Sequence, residues 1–339
     1  MSKILTLGEI MLRLATDTGI RLDHTQQFMA HYGGGEANVA ISLANYGHEV
    51  KYASKVPSNP LGNAVKKHLQ SYGVLVDSLI MGGERLGMYY LESGCGERGA
   101  AVVYDRAYSS FATMKELEWN FDQLFADVEL IHLSGITPAL SKNWQKMILE
   151  LLKEAKKRSI KISFDMNYRG KLWTVLAAKQ TFKEILPYVD YCSAGKLDAL
   201  NFMDIPENES ALNLESAADM AYYYQAMNAK YPNIQVFYST LREVYSASHN
   251  TLQGTVWNQG ELVTSKIHEI NPIVDRVGGG DAFAGGILHG LLVKMKLNEM
   301  VDFATAASAL KHTIHGDCNQ FSIAEVKAFV AAESGKIVR

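Results

Sequence analysis

The chain has 339 residues, 47% apolar and 20% charged, with a net charge of −3. That profile belongs to a globular chain with ample core, and it offers no basic field for nucleic acid. Cys95, Cys192 and Cys318 lack disulfide or metal-ligand spacing, no apolar run reaches membrane-span length, and Glu9 and Arg13 interrupt any signal-peptide pattern, so a cytoplasmic protein with reduced thiols is expected.

Ile4–Leu7 reads as a buried strand ending at Gly8. Apolar residues at 37, 39, 40, 43 and 44 recur with a helical period that Gly47 stops. A strand over Glu49–Ser54, a helix over Leu61–Tyr72 ended by Gly73, and a buried strand over Val128–Ser134 follow. A helix is expected over 141–158, then buried strands at Ile160–Asp165, Val189–Ser193 and Ile234–Thr240. From about residue 281 the pattern is mostly helical. Strands alternating with helices predict an α/β fold: a mostly parallel sheet with helices on both faces. Residues 10–32 and 85–110 break the rhythm with short polar alternations. They are expected to form short antiparallel strands off the main sheet, a small β lid on one domain spanning 1–339.

Asp275-Arg-Val-Gly-Gly-Gly-Asp281 precedes a helix-like apolar run. Consecutive glycines let backbone N–H groups converge, and a helix N-terminus adds partial positive charge, so Gly278, Gly279 and Gly280 can cradle a phosphate. Asp281 at its lip can take a proton from an attacking hydroxyl; the plainer reading is an N-cap. Gly33-Gly34-Gly-Glu-Ala-Asn38 suits close ligand approach, with Asn38 facing sugar hydroxyls, or else a tight turn. Asp165-Met-Asn167-Tyr-Arg169 directly follows a strand, where open α/β sheets bind ligands. Arg169 there fits a carboxylate or phosphate, or closes a loop ion pair. Tyr89, Tyr104 and Arg106 suit an acidic sugar or an exposed lid strand. His312 and His315 lack the companions of a metal set and read as surface or capping residues, with Asp317 in a turn after Gly316. P-loop, dinucleotide-binding and protein-kinase motifs are absent.

In this order the motifs resemble those of the ribokinase-like (PfkB-type) sugar kinases over essentially the whole chain. Tyr104-x-Arg106, Asp165-x-Asn167-x-Arg169, Thr240-Leu-Arg242-Glu and Lys311-His-Thr-Ile-x-Gly-Asp317 are most similar to 2-keto-3-deoxygluconate kinases. The resemblance implies a three-layer α/β/α sandwich with a small β-sheet lid that also serves as a dimer contact. ATP and Mg²⁺ are the implied cofactors, with no residues assigned as metal ligands. Asp281 becomes the catalytic base and Gly278–Gly280 the anion hole. Gly34, Asn38, Tyr89, Tyr104, Arg106, Arg169 and Asp317 would hold the sugar acid, and Asn167, Lys196, Thr240 and Arg242 would lie near the nucleotide. The family's Asn-x-x-Glu after the strand near Ser193 is here matched to Ser193-Ala-Gly-Lys196, an ammonium for a carboxylate. Lys196 would then contact a phosphate directly, or metal support is weakened. The implied reaction is phosphorylation of 2-keto-3-deoxygluconate at the 6-hydroxyl. The alternatives are another sugar (fructose or 2-keto-3-deoxygalactonate) and a non-catalytic sugar-binding homologue.

Overall fold

A computed structural model describes residues 3–208 and 217–332. The chain begins with β1 (Lys3–Leu7), β2 (Met11–Ala15), β3 (Met29–Gly33), α1 (Gly35–Asn45), β4 (Glu49–Val56) and α2 (Pro60–Ser71). It continues with β5 (Leu79–Met81), β6 (Met88–Glu92), β7 (Ala101–Asp105), α3 (Phe121–Leu124), β8 (Leu130–Ser134) and α4 (Ile136–Ala139). Next come α5 (Lys142–Lys157), β9 (Lys161–Asp165), α6 (Val175–Ile185), β10 (Tyr191–Ser193), α7 (Lys196–Phe202) and α8 (Ala217–Lys230). The remainder holds β11 (Val236–Leu241), β12 (Val244–Ser246), β13 (His249–Asn258), β14 (Glu261–Thr264), β15 (His268–Ile270), α9 (Gly279–Leu292), α10 (Leu297–Lys311) and α11 (Ile323–Ala331).

Side chains alternate across a strand, so a strand apolar at every position must be covered on both faces. In β1, Ile4 packs into one core cluster while Leu5 and Leu7 pack into the other. In β8, Leu130 opposes Ile131 and Leu133; in β11, Val236 and Tyr238 oppose Phe237. The first cluster contains α1, α2, α9 and α10, the second α5 to α8, and the result is three layers. Helix α5 shows how an edge of this is fixed. Ser141 caps it by accepting from the Trp144 N–H, and the fully buried Trp144 stacks on Phe111 at 4.2 Å.

The main sheet runs β12-β13-β11-β10-β9-β8-β1-β4-β5, with β14 and β15 also paired to β13. From β11 to β5 every neighbouring pair is parallel, and β13 joins antiparallel. The strands of 244–270 have no counterpart in the expected elements. The small sheet, ordered β3-β2-β6-β7, is built from the two excursions expected to leave the main sheet. Its central pair departs from expectation: β2 and β6 are parallel, because long stretches of chain with α1, β4 and α2 separate them.

Candidate active site

The C-terminal ends of the parallel strands carry Ile136, Asp165 and Arg242, and the N-termini of α1 and α9 meet them from the other side. With Met11, Tyr89 and Tyr104 of the small sheet these groups enclose a cleft of about 400 Å³. Tyr104, Arg106 and Arg169 also line an adjoining outer cavity of about 750 Å³. A polar cleft outside the carboxyl ends of an open sheet is where this architecture binds ligands.

Gly278 is the N-cap of α9 and has φ +80°. Only glycine holds that conformation cheaply, and a Cβ there would collide with the Asp317 carbonyl. The first turn of α9 therefore presents N–H groups without intrahelical acceptors, with the positive end of the helix dipole, to the cleft. Asp281 is the third residue of the helix and caps nothing; its Oδ2 accepts from Asn38 Nδ2 at 2.7 Å. The Asn38 Oδ1 lies 3.5 Å from the Gly34 N–H, so Asn38 ties the start of α1 to Asp281. Gly34 itself lies so close to the Glu9 carbonyl that a Cβ would collide with it. Burial pushes the Asp281 carboxyl up to about 7; the Asn38 hydrogen bond opposes this, and Asp165 and Asp317 add to it. The positive end of the helix dipole favours the ionised form, and desolvation outweighs it.

Three further carboxylates lie nearby. Burial raises Asp165 to about 6, against the field of Arg169. Burial also raises Asp198 to about 6, although it accepts from the Gly195 N–H at 2.8 Å. Glu36, enclosed and pushed up to about 7, accepts from Ser134 Oγ at 2.7 Å and from the Ser134 N–H. Among the described residues no ion pair joins a cation to any of the three, and only the fields of Arg169 and Arg106 oppose burial at Asp165 and Glu36. Among the described residues no group of three or more His, Cys, Asp or Glu side chains could hold a metal ion alone.

The arginines divide sharply. Arg13, Arg21, Arg85, Arg98, Arg106 and Arg158 each pair with a carboxylate. Among the described residues, the three arginines without such a partner are Arg169, Arg242 and Arg276, and all three line this cleft. Arg276 is anchored instead by main chain, donating to the Ala247 carbonyl at 2.9 Å. Arg169 and Arg242 are exposed and Arg276 is half-buried, so their guanidinium groups are open to an anionic ligand entering the cleft.

Most expected site residues meet here: Gly34, Asn38, Tyr89, Tyr104, Arg106, Asn167, Arg169, Arg242, Gly278, Gly280, Asp281 and Asp317. Asn167 sits at φ +36°, a strained backbone for a residue other than glycine. Several details differ from expectation. Arg106 is not free; Glu9 takes its Nε and Nη2. Tyr89 donates to Asp317 at 2.7 Å, so these two hold each other. Gly279 is backed by the His312 ring and does not line the cleft. Of the two readings of His312, capping holds and surface does not: it is the buried C-cap of α10, with Nδ1 2.7 Å from the Ser308 carbonyl. Thr240 also lies outside the lining. Lys196 does too, being drawn away by Glu207 and Asp219 at 3.3 and 3.5 Å. The carboxylate at this strand end is Asp198, two residues beyond Lys196, where the start of α7 turns it inward. Glu9, Arg13, Glu36, Asp198, Asp275 and Arg276 were missed. Charged residues inside apolar runs, such as Arg13 in Ile10-Met-Leu-Arg-Leu-Ala15, were the available signal.

The sequence pattern of the pfkB family carbohydrate kinases matches residues 1–323. A PfkB family carbohydrate kinase from Listeria grayi is 46% identical, with TM-score 0.92, covering 98% of this chain and 100% of that one. A 2-dehydro-3-deoxygluconokinase from Thermotoga maritima is 37% identical, with TM-score 0.94 and the same coverage. A 2-dehydro-3-deoxygalactonokinase from Haloferax volcanii is 30% identical over 316 residues, 93% of this chain and 92% of that one.

Proposed function

Because this chain belongs to the pfkB family of carbohydrate kinases, we propose that it transfers the γ-phosphoryl group of ATP to a sugar acid, 2-keto-3-deoxygluconate, at the 6-hydroxyl. The observation that carries the anionic substrate is the set of cleft arginines without carboxylate partners. Arg169 reaches both the cleft and the outer cavity beside Tyr104, and it takes the sugar carboxylate. Arg242 and Arg276 flank the glycine loop and take phosphate oxygens. Arg169 is exposed at the cleft, and a neutral sugar covering it would displace water without supplying a counter-charge. The small sheet is the lid of a single kinase domain, closing on the sugar from the side of Tyr89 and Tyr104.

In the reaction the sugar hydroxyl oxygen forms a bond to the γ-phosphorus as the bond to the β–γ bridging oxygen breaks. The electron pair leaves with ADP, and the hydroxyl proton passes to the Asp281 carboxylate. The transition state is loose, so the chain contributes position and field rather than covalent chemistry. The N–H groups at the start of α9 receive the charge on the transferred group, and Asn38 aims Asp281. Asp165 lines the cleft and Asp198 lies close behind it, outside the lining; together with phosphate oxygens and water these two carboxylates would hold Mg²⁺. Bound with ATP, Mg²⁺ would neutralise developing phosphate charge.

The experiment is ADP release with Mg²⁺-ATP on 2-keto-3-deoxygluconate, 2-keto-3-deoxygalactonate, fructose, ribose and gluconate. Turnover confined to the keto-deoxy acids is expected; equal turnover on fructose removes the acid assignment. The likeness to a 2-dehydro-3-deoxygalactonokinase favours one second reading, the C4 epimer as substrate, and the same panel separates the two.

A further inference from the structure

Arg13, on β2 of the small sheet, is completely enclosed, yet it bonds to the loop that opens α9, 262 residues away. Its Nη1 and Nη2 donate to Asp275 Oδ1 at 3.2 Å and Oδ2 at 2.6 Å. Each of those oxygens accepts a second donor: Oδ1 takes the Val277 N–H at 3.0 Å, and Oδ2 the Gly316 N–H at 3.1 Å. Arg13 Nε lies 3.0 Å from Asp317 Oδ1. The buried Lys311 holds the Asp275 main chain, donating to its carbonyl at 3.3 Å. Two cations and two carboxylates thus balance within the interior, and both backbone segments that meet at Gly278 are fixed by one carboxylate.

Fold stability does not require such a cluster, since buried ion pairs often contribute little beyond a well-packed apolar set. What a planar guanidinium does provide is direction: two parallel bonds to one carboxylate fix its plane. The plane of Asp275 fixes the Val277 N–H, and Val277 leads directly into Gly278 and the exposed N–H groups of α9.

We infer that Arg13 is a positioning residue of the phosphate-binding loop, setting the cleft-lining Gly278 and Gly280 backbone through Asp275. The inference rests on the phosphoryl-transfer reading of that loop. Arg13 lines no part of the cleft; a misplacement of the loop by about 1 Å is enough to cost on the order of a hundredfold in rate.

The test compares wild type with Arg13→Lys, which keeps the charge but loses the fork, and with Asp275→Asn, which keeps the shape but loses the charge. Steady-state kinetics are paired with calorimetric binding of tripolyphosphate to the full-length protein, and thermal unfolding reports the folded fraction. For both variants kcat is expected to fall about tenfold to a hundredfold. Tripolyphosphate binding is expected to weaken about tenfold, with KM for the sugar within about twofold of wild type. Wild-type kcat and tripolyphosphate affinity in the folded fraction, with only a lower Tm, would reduce Arg13 to a structural role and overturn the inference. If Arg13→Lys does not fold, Asp275→Asn decides alone by the same criteria. If wild type turns over none of the sugar acids, the substrate reading fails by itself. Tripolyphosphate affinity then still decides: weakened in the variants, the positioning role stands; unchanged, it falls.

Discussion

Two neighbouring groups of buried charges meet at this cleft and behave in opposite ways. Around Asp275 every charge has its counterpart, and Arg13 holds the Asp275 carboxyl below the usual carboxylate range despite its burial. A few residues away Asp165, Asp198, Glu36 and Asp281 are all pushed up, because burial acts on them without a bonded cation. Arg169, Arg242 and Arg276 line the same cleft and bond to no carboxylate among the described residues, although the field of Arg169 reaches Asp165 and Asp281. Charges that complete each other hold structure in place. Charges kept apart across a cleft are completed only by a ligand that carries both a hydroxyl proton and negative groups, which describes a sugar acid and a nucleotide.

The largest break in this contrast should come at Asp281. Asp281→Asn keeps the Asn38 contact but removes the proton acceptor, so kcat is expected to fall about a thousandfold with KM little changed, read by ADP release. Asp198→Asn should raise the Mg²⁺ concentration for half-maximal activity about tenfold while leaving KM for the sugar alone. An unchanged magnesium curve would detach Asp198 from the metal.

The pH dependence sharpens the same comparison. Asp281 must be ionised to accept a proton, and its carboxyl sits at about 7, so kcat/KM should fall as pH drops below about 7. The hydrogen bond from Asn38 favours the ionised form. Asn38→Ala should therefore move the acid limb to higher pH, and a limb that stays in place would show that another group controls it. The smallest effect is on stability. A carboxyl raised in the folded state adds stability below its unfolded pKa, and that stability is lost as pH rises through the folded value. Asp281→Asn should thus raise Tm by about 2–4 °C at pH 8, with the gap closing toward pH 4.

The sequence shows the sheet clearly because apolar runs such as Leu130–Ile131 and Val236–Tyr238 have only one use, burial on both faces. The glycine loop with Asp281 and the Asn38 turn were equally legible, since chemistry and backbone geometry there depend on residue type alone. The strands of 244–270 were not, because β13 pairs on both sides with short partners whose polar edges read as loop. The parallel β2–β6 pairing depends on a long connection, which local alternation does not record. Arg106 and Lys196 show the limit for side chains. Each is a cation at an expected site, and only the fold brings Glu9 to the first and Glu207 and Asp219 to the second.

The central claim is that Arg169 is left unpaired for the substrate carboxylate, and one measurement tests it most directly: the ratio of kcat/KM for 2-keto-3-deoxygluconate to that for fructose, in wild type and in Arg169→Ala. Loss of one charge-assisted contact of about 1.5–3 kcal/mol should lower the value for the acid by roughly tenfold to a hundredfold and leave fructose nearly unchanged, collapsing the ratio. An equal fall for both sugars, with the ratio preserved, would contradict it.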